Sequence, residues 1–124
     1  ARFLDVLPVR LRGPFDLKWA GKGKSWNLSG KQPEHPLLKG VRFDQSPRVF
    51  WHHFVTPKPK ATVVLNAGTE PTLILGRYGK GRVAALTLSP TGLAGKGEVA
   101  WWDWEGWFPL VRNLFGWSKE EGRQ

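Results

Sequence analysis

His52 and His53 are the first residues here whose chemistry invites a functional reading, because imidazole is the commonest protein metal ligand. They sit inside Val49–Val55, a run of β-branched and aromatic residues that predicts a strand. Adjacent strand residues point to opposite faces, so one ion does not readily take both. A site needs three or four ligands, and His35 is distant in sequence beside Pro36. One core and one surface histidine is the simpler reading, and the chain implies no metal and no cofactor.

Gly21-Lys22-Gly23-Lys24-Ser25 ends like a phosphate-binding loop, but the glycine that should open the motif is replaced by Lys18. A flexible basic loop remains. It belongs to a strip in which Lys18, Lys22, Lys24 and Lys31 interleave with Trp19 and Trp26, a pattern suited to gripping single-stranded nucleic acid by phosphate contacts and stacking. The net charge of +9 is concentrated there: residues 1–60 hold 12 Lys/Arg against 4 Asp/Glu, and residues 61–124 hold 7 against 6. Such a surface attracts nucleic acid, an anionic membrane or an acidic partner, or simply aids solubility.

Trp101, Trp102, Trp104 and Trp107 form the third constellation. At that spacing they cannot all face one core, so one or two are expected at the surface or under a partner. Tryptophan is enriched among interface anchors, which predicts a protein partner or a homo-oligomer. Sugar stacking is the alternative, with Glu98, Asp103 and Glu105 nearby as a conceivable glycosidase pair. Acids at 103 and 105 also suit the positive end of a following helix.

The elements that would position these groups are legible in outline. Residues 1–34 read as a basic, extended or loop region, with an edge strand or extended segment over 3–11 interrupted by Pro8. His35–Val41 reads as a short turn of helix entered at Pro36 and closed by Gly40. Thr56–Lys60 reads as a connector and Ala61–Ala67 as a strand. Thr72–Tyr78 and Arg82–Leu88 are nearly continuous apolar runs, predicting central strands covered on both faces. Tyr78, Gly79, Lys80, Gly81 and Arg82 make the hairpin turn between them, with both glycines expected at positive φ. Gly76 predicts a bulge or a close neighbour. A helix is expected from about Trp107 to Phe115, with Val111, Leu114 and Phe115 on its apolar face and Gly116 ending it. The tail 118–124 is polar.

This ordered set resembles the C-terminal part of class I glutamine-amidotransferase-like domains, in the divergent branch that includes trehalose-utilisation-type proteins. The resemblance is carried by Leu7-Pro8-Val9, His35-Pro36-Leu37-Leu38-Lys39-Gly40-Val41, Glu70-Pro71-Thr72-Leu73-Ile74-Leu75, Tyr78-Gly79-Lys80-Gly81-Arg82-Val83 and the tryptophan-rich segment before a final helix ending in Trp117. It implies an α/β, flavodoxin-like sandwich whose earlier strands and helices lie upstream of Ala1. Locally this chain would contribute a β-rich antiparallel meander and a C-terminal helix. The family's catalytic members use a Cys on a strand-to-helix elbow with a His and a Glu downstream. This chain has no Cys, and no His follows His53, so no triad carries over. Trehalose-utilisation-type relatives often show Gly-His after the second hairpin strand, where this chain has Ser89-Pro90-Thr91-Gly92.

At 124 residues the chain is one domain or part of one, and its 13% aromatic content argues for a folded core. The absence of Cys excludes disulfides and thiolate sites within it. No Met is present and the chain starts at Ala1, which predicts a processed, trimmed or excised terminus. No apolar run approaches the roughly 20 residues of a membrane span. The expectation is a non-catalytic amidotransferase-like segment acting by association with a partner chain or with the rest of its domain. The alternatives are a polyanion-binding module through the basic half and a carbohydrate-binding module through Trp101–Trp107.

Overall fold

The computed structural model describes residues 2–13 and 16–119. In chain order the elements are α1 (Phe3–Val6), β1 (Val9–Leu11), β2 (Leu17–Trp19), β3 (Trp26–Gly30), β4 (Arg48–Val49), β5 (Trp51–His53), β6 (Val55–Pro57), β7 (Thr62–Ala67), β8 (Glu70–Tyr78), β9 (Gly81–Leu86), β10 (Leu88–Ser89) and α2 (Trp107–Lys119). Short 3-10 turns occupy Pro36–Leu38 and Trp101–Asp103. The strands pair antiparallel in three sheets: β4-β3-β7-β8-β9, β10-β5-β2, and β1-β6.

The chain passes between the two larger sheets through the loop from β2 to β3 and, within a single residue, at Phe50 and at Thr87. At the last of these the Thr87 backbone N–H donates to Thr72 O at 2.9 Å, while Thr87 O accepts from His53 N–H at 3.0 Å. One residue thereby carries a bond into each sheet, and the whole becomes a curled β-structure.

β8 runs through the centre. Thr72, Leu73, Ile74 and Leu75 are all buried. Leu73 and Leu75 face the main core with Leu28, Leu65, Trp101, Trp104 and Leu110, whereas Ile74 packs with Val9 of β1 and Val55 of β6. Burying each such aliphatic side chain stabilises by about 1.5–3 kcal/mol. The two-sided apolar run of β8 is thus covered from within the chain, by α2 and the tryptophans on one face and the β1-β6 ribbon on the other. Gly76 allows this ribbon to approach, since a Cβ there would stand 2.7 Å from Pro8 Cβ. The register shifts between β7 and β8 fall at Val63/Leu65 and Leu65/Asn66, away from Gly76, which pairs regularly with Val83, so Gly76 marks a close neighbour and not a bulge.

Several sequence expectations are corrected. β9 is an edge strand with Ala84 and Leu86 exposed, because the sheet ends there. Of the two glycines in the β8-β9 turn only Gly79 takes a positive φ (60°); Gly81 already pairs with Tyr78 in the ladder. The run 49–55 is three short strands in three sheets, and Thr56-Pro57 continues a sheet by pairing with β1. The basic, extended or loop region 1–34 holds α1 and three strands, and β3 pairs with both β4 and β7 and buries Leu28. Within 3–11, Phe3–Val6 is helical and only Val9–Leu11 is strand. Helix α2 continues through Gly116 to Lys119 because Trp117 packs against the core and takes the Arg82 guanidinium over its ring at 5.2 Å. Its buried face is Trp107, Leu110, Leu114 and Trp117, leaving Phe115 64% exposed. The turn at His35–Gly40 stands as expected: His35 Nδ1 accepts from Leu37 N–H at 3.1 Å and Gly40 has φ 75°. The polar tail beyond Lys119 lies outside the described residues.

Candidate functional site

The three-stranded sheet β10-β5-β2 has one face turned into the protein and one turned outward. Cross-strand register decides which residues each displays. Leu17 pairs with His53, Lys18 with His52, Trp19 with Trp51, and Ser89 lies beyond Trp51 on the other side. Directly paired residues share a face and neighbours along a strand alternate. The outer face therefore presents Leu17, Trp19, Trp51 and His53 together.

His53 and Asp16 form a polar pair on this face. Asp16 Oδ1 accepts from His53 Nδ1–H at 2.9 Å. The Asp16 side chain is only 10% exposed, and its Oδ2 is buried without a hydrogen-bond partner among the described residues. The hydrogen bond from His53 holds the Asp16 carboxyl below its ordinary 3.8, against the opposing effect of desolvation. With Nδ1–H committed to the carboxylate, Nε2 is the free nitrogen of an exposed ring.

His52 points the other way and is fully buried, stacked on Phe54 at 4.6 Å and meeting Trp26 edge-on at 4.7 Å. Its Nδ1–H donates to His53 O at 3.1 Å, and Nε2 has no partner among the described residues. Burial pushes its pKa below 6.5, partly offset by the bond to His53 O and the charge of Glu70. The histidines thus divide into one core and one surface residue, and no metal-binding group occurs among the described residues. Asp16 carries the surface histidine, yet nothing in the sequence marked it, because 37 residues separate the two.

Beside this pair a groove of about 440 Å³ opens over Trp19, Trp51 and Phe50. Trp19 stacks on Trp51 with centroids 5.9 Å apart and planes 18° apart, and is itself 53% exposed. Two glycine-bearing loops flank the floor. Lys22 and Lys24 stand exposed on one, and Glu98 on the other. The Glu98 carboxylate accepts from Gly95 N–H at 2.7 Å and from Ser25 Oγ–H at 3.3 Å, with Arg48 Nε 3.9 Å away. It links the two loops.

The basic strip is therefore divided. Trp19, Lys22 and Lys24 converge on the groove; Lys18 is exposed but lies on the alternate face of β2, Lys31 follows the far end of β3, and Trp26 packs on the core. Within the tryptophan cluster Trp101 and Trp104, 4% and 2% exposed, are corrected from surface to core, while Trp102 and Trp107 pack against the core and stay partly exposed. All four fit because the 3-10 turn and the following bend aim them in different directions. Trp101 Nε1–H donates to Ser89 O at 3.3 Å and Trp104 Nε1–H to Arg42 O at 2.7 Å, so both buried indoles are satisfied. In the hairpin turn Tyr78, Gly79, Lys80 and Gly81 are exposed, whereas Arg82 donates to Trp117 O at 2.9 Å and ties the hairpin to α2.

A family model described as "putative glutamine amidotransferase" matches residues 3–120. The chain belongs to this glutamine-amidotransferase-like family. Among solved structures, this amidotransferase-like chain is similar to the cytoplasmic protein STM3548 from Salmonella typhimurium, at 22% identity and a TM-score of 0.75, covering 92% of this chain and 44% of that one. It is also similar to the cytoplasmic protein STM1381 from Salmonella typhimurium LT2, at 18% identity and a TM-score of 0.76, covering 95% of this chain and 46% of that one. These likenesses concern the fold, and the amidotransferase-like chain spans less than half the length of either protein. A search of curated proteins gives no match. No helix among the described residues is long and apolar enough to cross a membrane.

Proposed function

We propose that this chain acts by association and not by catalysis, as the β-rich portion of an amidotransferase-like unit. Its partner is the flavodoxin-like α/β portion, on the same polypeptide or another. The observation that carries this reading is the apolar groove between α2 and the free edge strand β9, lined by Ala84, Val111, Leu114 and Phe115. Phe108 and Phe115, 80% and 64% exposed, stand two helical turns apart on the same side of α2. An edge strand beside an exposed apolar helix face is a surface that another segment can extend by strand addition and cover by packing. The longer chains of the same fold, of which this one spans less than half, are consistent with such an addition. Without a cysteine the chain supplies no thiol nucleophile of its own.

Sedimentation velocity and binding of a dye that reports apolar surface test this. The 14.0 kDa chain is expected to self-associate at micromolar concentration and to bind the dye. The double variant Phe108→Asp/Phe115→Asp should sediment as a monomer and bind less dye, with unchanged far-ultraviolet circular dichroism. A wild-type monomer that binds no dye would overturn the proposal.

A further inference from the structure

The groove over Trp19 and Trp51 lies on a different part of the molecule from α2, and its chemistry is independent of the docking reading. Three features converge on it. The floor is an indole pair whose outer member is half exposed, a flat π surface that takes a planar heterocycle by stacking. One rim carries Lys22 and Lys24, neither ion-paired among the described residues, on a turn closed by Lys24 N–H donating to Gly21 O at 3.0 Å. The other rim carries Glu98, whose carboxylate is held in place by Gly95 N–H and Ser25 Oγ–H. A carboxylate so fixed keeps lone pairs for a ligand hydroxyl, and the nearby Arg48 moderates its repulsion of an anion.

We infer that this groove binds a nucleoside monophosphate, for which AMP, with its large planar base, is the probe. The base stacks on Trp19, a ribose hydroxyl donates to Glu98, and the phosphate is taken by Lys22 and Lys24. A bare sugar would leave both lysines unused, and a bare phosphate would leave the indoles unused. The size suits one nucleotide, because small-ligand sites run from roughly 300 to 1,000 Å³. A polymer is disfavoured by the same register that builds the site. Lys18 is on the alternate face, and Lys31 and Trp26 lie elsewhere, so among the described residues no basic and aromatic track continues past the groove.

Calorimetric titration of the full chain with AMP, adenosine, inorganic phosphate and an oligothymidylate tests the assignment, with tryptophan fluorescence followed in parallel. Saturable AMP binding with fluorescence quenching is expected, at least tenfold tighter than adenosine and weakened by salt. Trp19→Ala should abolish the quenching. Lys22→Ala/Lys24→Ala should weaken AMP at least tenfold and leave adenosine unchanged, since the lysines act only on the phosphate. All these side chains are exposed, so the variants should keep the wild-type circular dichroism and remain fully folded at the titration temperature. The proposal is overturned if AMP does not bind, if adenosine binds as tightly as AMP, if Trp19→Ala retains the quenching, or if the oligothymidylate binds more tightly than AMP.

Discussion

The chain has two tryptophan-rich regions that the structure uses in opposite ways. Trp101–Trp107 packs four indoles in or against the main core, and both fully buried ones donate Nε1–H to a backbone carbonyl. Trp19 and Trp51 stack on the outer face of a three-stranded sheet, and Trp19 stays half exposed. The spacing of the denser cluster predicts a surface, yet it is the sparser pair that lies outward. What separates them is direction. A 3-10 turn and bend fan successive side chains around an axis, so four indoles can reach one core from different sides. A strand pair sends paired residues to the same face, so two tryptophans brought into register must share an environment.

Three substitutions test the contrast. Trp104→Ala should have the largest effect, about 3–5 kcal/mol of lost stability by urea denaturation, because it empties a core site and leaves Arg42 O without its donor. Gly106 lies directly against the Trp104 ring, where a Cβ would clash with the indole. If Trp104→Ala proves no more costly than Trp19→Ala, the buried assignment of the cluster fails.

His52→Phe addresses the inner face of the sheet that carries Trp51 outward. Phenylalanine replaces a ring already stacked on Phe54 and removes the unpartnered Nε2, so stability at pH 7.5 should change by about 1.5 kcal/mol or less. Its pH dependence should change more. The folded pKa of His52 is depressed by burial, so the unfolded chain binds its proton first as pH falls. The contribution is complete above about 6.5 and is lost as pH drops from there through the folded value. Denaturation midpoints across pH 5 to 7.5 should fall less steeply in His52→Phe than in wild type. A residual slope of the same sign is expected from His35, whose pKa burial also lowers. An unchanged profile would place His52 in contact with water.

Trp19→Ala should have the smallest effect on stability, about 1 kcal/mol or less, from loss of one half-exposed aromatic pair. Thermal denaturation measures it, and a value near that of Trp104→Ala would mean that the outer face is covered.

Much of the fold could be read from local pattern. The β7-β8-β9 meander follows from its Val, Leu and Ile runs, the Gly79 turn from glycine's access to positive φ, and the His35–Gly40 turn from Pro36 and Gly40. Strands β2 and β3 were not legible, since lysine and glycine dominate 17–30 and only their pairing with β5, β4 and β7 makes them strands. The same holds for the division of 49–57 among three sheets, because nothing local distinguishes a strand that continues from one that changes partners.

By itself, then, the sequence determined composition-level and local facts: no thiol chemistry, a basic N-terminal half, the central hairpin, one outward and one inward histidine, and the amidotransferase-like family. Only the tertiary structure decided which tryptophans are buried, that Asp16 meets His53 across 37 residues, and that Lys22 and Lys24 face Glu98 over a stacked indole floor. The physical reason is register. Period and propensity determine how a segment can fold, but which faces meet depends on long-range pairing, whose partners lie tens of residues away.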